Sequence, residues 1–324
     1  MKTAAGVMAG LVLAATIALS GCGDDAAGGQ DAAGETRTIE HAMGSTEVRG
    51  QPERVVVLDT GELDSAIALG VAPVGAVEAI AGAGFPDYLA ERAESVEPVG
   101  TIEQPSLEAI AALQPDLILS SKLRHEAIYD QLSRIAPTVF TEQTGVDWRE
   151  NFLVHADALG RAEEAERLTG EYRAAIADFR EAMGPERERT RVSVVRSVGD
   201  EVRVYLNDNF IGTVLEDLGL PRPEAQDVDD FSLTATLENI EALGGDVMFL
   251  SRYGSEHRLL ERLMGSPLWD RLGAVREGHV REVPDDLWFL GLGNLAARLV
   301  IDDLTTILVE GRELAAEPAG ASAG

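Results

Sequence analysis

The chain has 324 residues, of which one is cysteine and 5% are aromatic. Lysine is nearly absent: Lys2 and Lys122 are the only two, and every other cation is arginine. A single cysteine excludes an intrachain disulfide and a thiolate metal centre. With 27 Lys and Arg against 56 Asp and Glu, the formal charge is −29. That balance excludes nucleic acid as a partner, because a phosphate backbone demands a basic face. Such an acidic surface serves solubility. The apolar run from Ala9 to Leu19 is shorter than the roughly 20 residues needed to span a bilayer as a helix.

Signatures of catalysis are missing as well. There is no Walker A loop and no GxSxG elbow. His125-Glu126 opens an HExxH pattern, but Tyr129 stands where the second histidine belongs, which removes a ligand. Gly291-Leu292-Gly293 opens like a dinucleotide fingerprint, yet Ala296 occupies the last glycine position and no clear strand precedes it. The histidines at 41, 125, 155, 257 and 279 are dispersed, so no imidazole metal centre is signalled. The pattern excludes the common enzymes and points to a binding protein.

The N-terminus carries Lys2, the apolar run and then Leu19-Ser20-Gly21-Cys22, the arrangement of a secretory signal peptide ending in a lipobox. Residues 1–21 are expected to be removed and Cys22 to carry a lipid on the outer face of the cytoplasmic membrane; the alternative is a chance core cysteine. From Gly23 to Thr36 no apolar residue exceeds alanine in size, so 22–37 reads as a flexible tether. The globular part then begins near Thr38.

The chain contains itself twice. LEAIAALQPD (107–116) recurs as LENIEALGGD (237–246), and each copy runs into a short apolar segment, LILSS and VMFLS. Both read as a helix feeding a buried parallel strand. Upstream lie two further strand-then-helix units, 54–73 and 203–223, each with a glycine, Gly70 or Gly219, placed to end its helix. Between the halves, 147–184 has helical spacing and no proline before its end, and predicts one long helix, broken near Gly160 if at all. The expectation is an α/β fold of two three-layer α/β/α lobes, 38–146 and 185–316, joined by that helix around a ligand cleft, with 317–324 as a disordered tail.

Ligands in such lobes meet the C-terminal ends of the strands. Those ends carry Thr60, Ser121 to Arg124, Arg196, Arg252 and Tyr253. Cations and aromatics gathered on an otherwise acidic chain suit an anionic ligand. Arginine offers a planar fork for carboxylates and chelated oxygens, and lysine a compact point charge. Lys122 beside Arg124 offers both from one loop; the alternative is that the pair merely ends a strand in solvent. Tyr205, Tyr253 and Trp288 are either ligand flanks or core.

The segments RVVVLDTGELDSAIALGVAPVGAV, VGTIEQPSLEAIAALQPDLILSSKLRHEAIYDQLSRIAPTVF, VRVYLNDNFIGTVLEDLGLPRP, SPLWDRLGAVREGHVREVP and LWFLGLGNLAARLVIDDL resemble the ferric-siderophore substrate-binding lipoproteins of ABC importers. The resemblance covers about residues 50 to 310. It implies a monomeric receptor that binds an Fe(III) siderophore outside the cytoplasmic membrane and delivers it to a permease dimer, without catalysis or a resident cofactor. The iron is cargo held by the siderophore's own oxygens, so no protein metal ligand is implied. Glu108 and Glu238 match the glutamates that dock on permease arginines; they are equally well-placed first-turn charges for a helix dipole. The run Lys122 to Thr138 looks like members binding hydroxamate and citrate-hydroxamate chelates. By that likeness Arg124 meets a ligand oxygen with Lys122 and His125 nearby, and Arg196, Tyr205, Asn209, Arg222, Tyr253 and Trp288 line the second lobe. Ile102 and Glu103 stand where some hydroxamate binders have arginine, which favours a carboxylate-bearing chelate. A cobalamin or haem receptor of the same fold, a lipid-anchored enzyme and a non-transport surface module remain the alternatives.

Overall fold

A computed structural model describes residues 35–311; the expected signal peptide at 1–21, Cys22 and the expected tail at 317–324 lie outside them. The chain opens with an antiparallel hairpin, β1 (Thr36–His41) on β2 (Gly44–Arg49), so regular structure starts two residues before the expected boundary. A five-stranded parallel sheet follows, built from β3 (Val55–Val57), β4 (Gly75–Glu78), β5 (Glu97–Thr101), β6 (Leu117–Ser121) and β7 (Thr138–Thr141) in the order β5-β4-β3-β6-β7. Its strands are apolar on both faces: Val55, Val57, Leu117 and Leu119 enter one core, Val56 and Ile118 the other. Alternation of side chains across the pleat produces this division, and helices covering both faces make three layers.

The second sheet contains β8 (Val192–Val198), β9 (Glu201–Tyr205), β10 (Ser232–Thr234), β11 (Val247–Tyr253) and β12 (Val280–Glu282), in the order β10-β9-β8-β11-β12. Here β8, β11 and β12 run parallel, whereas β9 is antiparallel to β8 and β10 to β9. Gly199, with φ +56°, makes the tight turn that sends β9 back along β8. Val192, Val194 and Phe249 face one core, and Val195, Met248 and Leu250 the other.

Two helices rather than one connect the sheets, Trp148–Leu159 and Ala162–Met183, with Gly160 between them in the left-handed region at φ 68°. Along the second helix, Ala165 and Leu168 join the core of the first lobe, while Tyr172 and Phe179 join that of the second. One rigid element is therefore packed into both lobes. The repeated segments also differ. Leu107–Ala112 is an α-helix capped by Ser106, whose Oγ accepts from the Ala109 N–H at 3.2 Å. In the second copy only Ile240–Leu243 forms a 3-10 turn. Asn239, in the place of Ala109, draws the backbone into a turn by accepting from the Thr236 N–H at 2.6 Å and donating to Thr234 O at 3.0 Å.

Candidate functional site

The strand Val55–Val57 is so thoroughly buried that its continuation brings acidic residues inside with it. Asp59 is 1% exposed and Glu62 2%. Asp59 caps the helix Thr60–Ala68 by accepting from the Thr60 N–H at 2.7 Å, and its second oxygen receives Arg124 Nε at 2.8 Å. Arg124 stands on the short helix Lys122–His125 that follows β6, with 33% of its side chain exposed. Its terminal nitrogens have no hydrogen-bond partner among the described residues. A guanidinium fixed through Nε and open at both Nη atoms is a preformed fork for an anionic oxygen pair.

Arg196 on β8 is more deeply held. It donates Nε and Nη2 to the two oxygens of Asp285 at 2.7 and 2.5 Å and Nη1 to the Tyr205 hydroxyl at 3.3 Å. Its guanidinium carbon lies 4.6 Å from the Tyr253 ring centroid and 5.2 Å from that of Phe289. Ser251 adds a 2.6 Å donation to Asp285.

One short segment ties the two arginines to the same seam. Thr60, next to Asp59, donates its hydroxyl to Leu290 O at 2.5 Å, and Leu290 adjoins Phe289, on which Arg196 stacks. The contact sequence Arg124, Asp59, Thr60, Leu290, Phe289, Arg196 thus crosses from one lobe to the other in a few side chains. Just behind it, Asp64 accepts from the Leu295 and Ala296 N–H groups at 3.0 Å each and from the Tyr88 hydroxyl at 3.0 Å. Burial raises its carboxyl to about 6 despite these donors. A side chain on Gly293 would collide with it, a Cβ there lying 2.2 Å from Asp64 Oδ1.

Other expected site residues have structural posts. His125 is buried, its Nδ1 against Ser120 Oγ at 2.7 Å and its Nε2 against Ile102 O at 2.8 Å, so neither nitrogen is left for a ligand. Asn209 caps the helix Phe210–Leu218 by accepting from the Gly212 N–H. Arg222 is buried on the carbonyls of Tyr205 and Leu206 and on Gln226. Trp288 is wholly buried, tilted against Phe249 at 4.8 Å, with Nε1 on Asp303. Tyr205 is buried and reaches the seam through its hydroxyl on Arg196. In this structure these five side chains are engaged as supports of the fold. Lys122 reaches the surface, paired with Glu142 at 2.8 Å, a pair that an anionic ligand can displace at little cost. Tyr253 is half-buried, one face taken by Arg196.

The carboxylates Asp59, Glu62, Asp64 and Asp285 escaped the sequence reading. For the first three the signal was present: DTGELD (59–64) carries three acids directly after a buried strand, where ordinary loops turn to solvent. Glu108 and Glu238 are both exposed on the surface. Among the described residues no three His, Cys, Asp or Glu side chains converge to hold a metal.

The family model described as periplasmic binding protein matches residues 55–287. The probable siderophore-binding lipoprotein YfiY of Bacillus subtilis is 35% identical over 313 residues, covering 92% of this chain and 96% of its own. The achromobactin-binding periplasmic protein of Dickeya dadantii is 33% identical over 265 residues, 79% of this chain and 86% of its own. Among solved structures, Staphylococcus aureus SirA complexed with staphyloferrin B superimposes with a TM-score of 0.76 at 33% identity, covering 83% of this chain and 97% of SirA.

Proposed function

The chain belongs to the periplasmic binding protein family, and from that we propose that it is a lipid-anchored receptor for a ferric siderophore, handing its cargo to an ABC permease. The observation that carries the reading is Arg124, fixed at Nε by a buried carboxylate and open at both terminal nitrogens. A charged chelate can leave water only where opposed charge and hydrogen bonds receive it. Arg124 supplies both, Lys122 supplies a second exchangeable cation at the rim, and the Tyr253 ring over Arg196 offers an aromatic wall in the other lobe. The name of one relative, a Fe(3+)-citrate-binding protein of Bacillus subtilis, supports a chelate with carboxylate donors, and the likeness of the run Lys122 to Thr138 adds the citrate-hydroxamate class. The iron stays within its chelate, and the protein acts on the outer oxygens.

Titration of tryptophan fluorescence with ferric citrate, a ferric citrate-hydroxamate, ferric desferrioxamine, a ferric triscatecholate, haem and cobalamin tests this. Saturable binding of a carboxylate-bearing or hydroxamate chelate is expected; binding of haem or cobalamin alone, or of nothing, would sink the reading. Delivery is a separate matter. Glu108 and Glu238 are exposed, and neither side chain is drawn into a hydrogen bond or ion pair among the described residues. Replacing both with Ala should leave chelate affinity unchanged and abolish iron uptake by cells, and normal uptake would remove them from the docking surface.

A further inference from the structure

Glu62 has no role in the function described so far, although it is a carboxylate buried to 2% exposure. It sits in the first turn of the helix Thr60–Ala68, three residues after the cap Asp59. Charges of both signs surround it. Asp59 comes from its own cap and Arg124 from the helix after β6; His125 on that same helix acts with Asp59 and Arg124. Glu103, on the exposed loop after β5, acts on Arg124 and His125. The segment 290–293 that covers Thr60 and Gly61 brings only main chain and apolar side chains. Burial drives His125 toward its neutral form, against the pull of the Ile102 carbonyl that its Nε2 meets. The local account is therefore two buried carboxylates against one arginine, and that arginine already belongs to Asp59.

We propose that Glu62, buried one turn from the Asp59–Arg124 pair, holds a proton and that capture of an anionic chelate is coupled to proton uptake at this carboxyl; the inference rests on the receptor reading above. The physical basis is the mismatch in charge. With both carboxylates ionised, a buried negative charge would stand uncompensated, which costs far more than neutralising one of them. Burial pushes the Glu62 carboxyl up to about 8, and the Asp59 charge adds to the rise. In the free receptor Glu62 therefore loses its proton just above neutral pH. When it does, its negative charge draws on the same guanidinium that must receive the ligand. An anion on the outer face of Arg124 opposes ionisation of Glu62 in turn, so ligand and proton favour each other reciprocally. Asp59 positions the guanidinium, and Glu62 sets how much of its charge faces the cleft.

Calorimetric titration of the full chain in detergent, in two buffers of different ionisation enthalpy, reads the proton count directly. The probes are ferric citrate and a ferric citrate-hydroxamate, compared between wild type and Glu62→Gln so that protonation of the chelate itself cancels. Wild type should take up more protons than E62Q near pH 8. If binding raises the carboxyl by about one unit, its affinity should fall about fivefold more than that of the variant between about pH 7 and pH 9. Infrared difference spectra of the free protein over the same range should show a protonated carboxyl band lost in wild type and absent from E62Q. Equal proton counts with parallel affinity profiles would overturn the coupling while leaving the receptor intact. No binding of any chelate would overturn the receptor reading and the coupling with it. A missing carboxyl band would show that Glu62 never holds the proton.

Discussion

Arginines at this site differ in how many donors the protein itself consumes, and that difference decides what each can do. Arg196 has its donors occupied by Asp285 and Tyr205, so it is a buried cornerstone. Replacing Asp285 with Asn leaves that guanidinium buried without its counter-charge, and breaking such a pair costs about 3–5 kcal/mol. The urea midpoint should fall accordingly, and an unchanged midpoint would mean that water reaches Arg196. Arg124 instead keeps two nitrogens for the ligand. Arg124→Ala removes charge-assisted hydrogen bonds of about 1.5–3 kcal/mol, and chelate affinity should drop by roughly one to two powers of ten. Unchanged affinity in the fluorescence titration would take Arg124 out of the site. Arg124 was legible because a cation just after a buried strand is unusual. The burial of His125, Asn209, Arg222 and Trp288 was not, because a polar side chain reads identically in sequence whether it faces a ligand or caps a helix.

Among the elements, legibility followed how local the determining contacts are. The parallel strands Leu117–Ser121 and Val247–Tyr253 announce themselves as continuous apolar runs, since both faces are covered. The reversal of Glu201–Tyr205 depends on two residues, Gly199 and Asp200, easily passed over beside a strong apolar pattern. The second copy of the repeat kept its leucines yet lost its helix, because one Asn side chain competes for the backbone. Gly160 shows the same local authority. It ends the helix Trp148–Leu159 in the left-handed region, and a Cβ there would lie 3.2 Å from Arg37 Nη2. Gly160→Ala should destabilise the fold by about 1 kcal/mol through the strained φ alone, somewhat more if Arg37 must move off the carbonyls of Gly50 and Ala158 that it bridges. Chemical denaturation measures it, and a stabilised variant would mean that the chain turns there without a left-handed residue.

For the whole molecule, buried acids set the pH at which the folded state is strongest. A carboxyl whose pKa is raised on folding contributes stability that is present below its unfolded value and lost as pH rises through the folded one. Glu62, raised from 4.5 to about 8, therefore weakens the fold from about pH 5 up to about 8. Asp64, raised to about 6, acts the same way but has largely finished by pH 7. His155 opposes them: burial lowers it to about 3, so the stability it contributes is present above its usual 6.5 and lost as pH falls below. Between about pH 6.5 and 8.5 the Glu62 contribution dominates, and at ~1.36 kcal/mol per unit it removes about 2 kcal/mol, of which the tail of the His155 titration returns a few tenths. The unfolding free energy should accordingly decline across that range, the reverse of acid denaturation, and Glu62→Gln should flatten the decline. Urea titrations at three pH values for both proteins measure it. Equal slopes would assign the decline to general repulsion on a chain of charge −29. A saturating anionic chelate should steepen the wild-type decline, because it holds the proton on Glu62 in the folded state while the unfolded chain has already lost it.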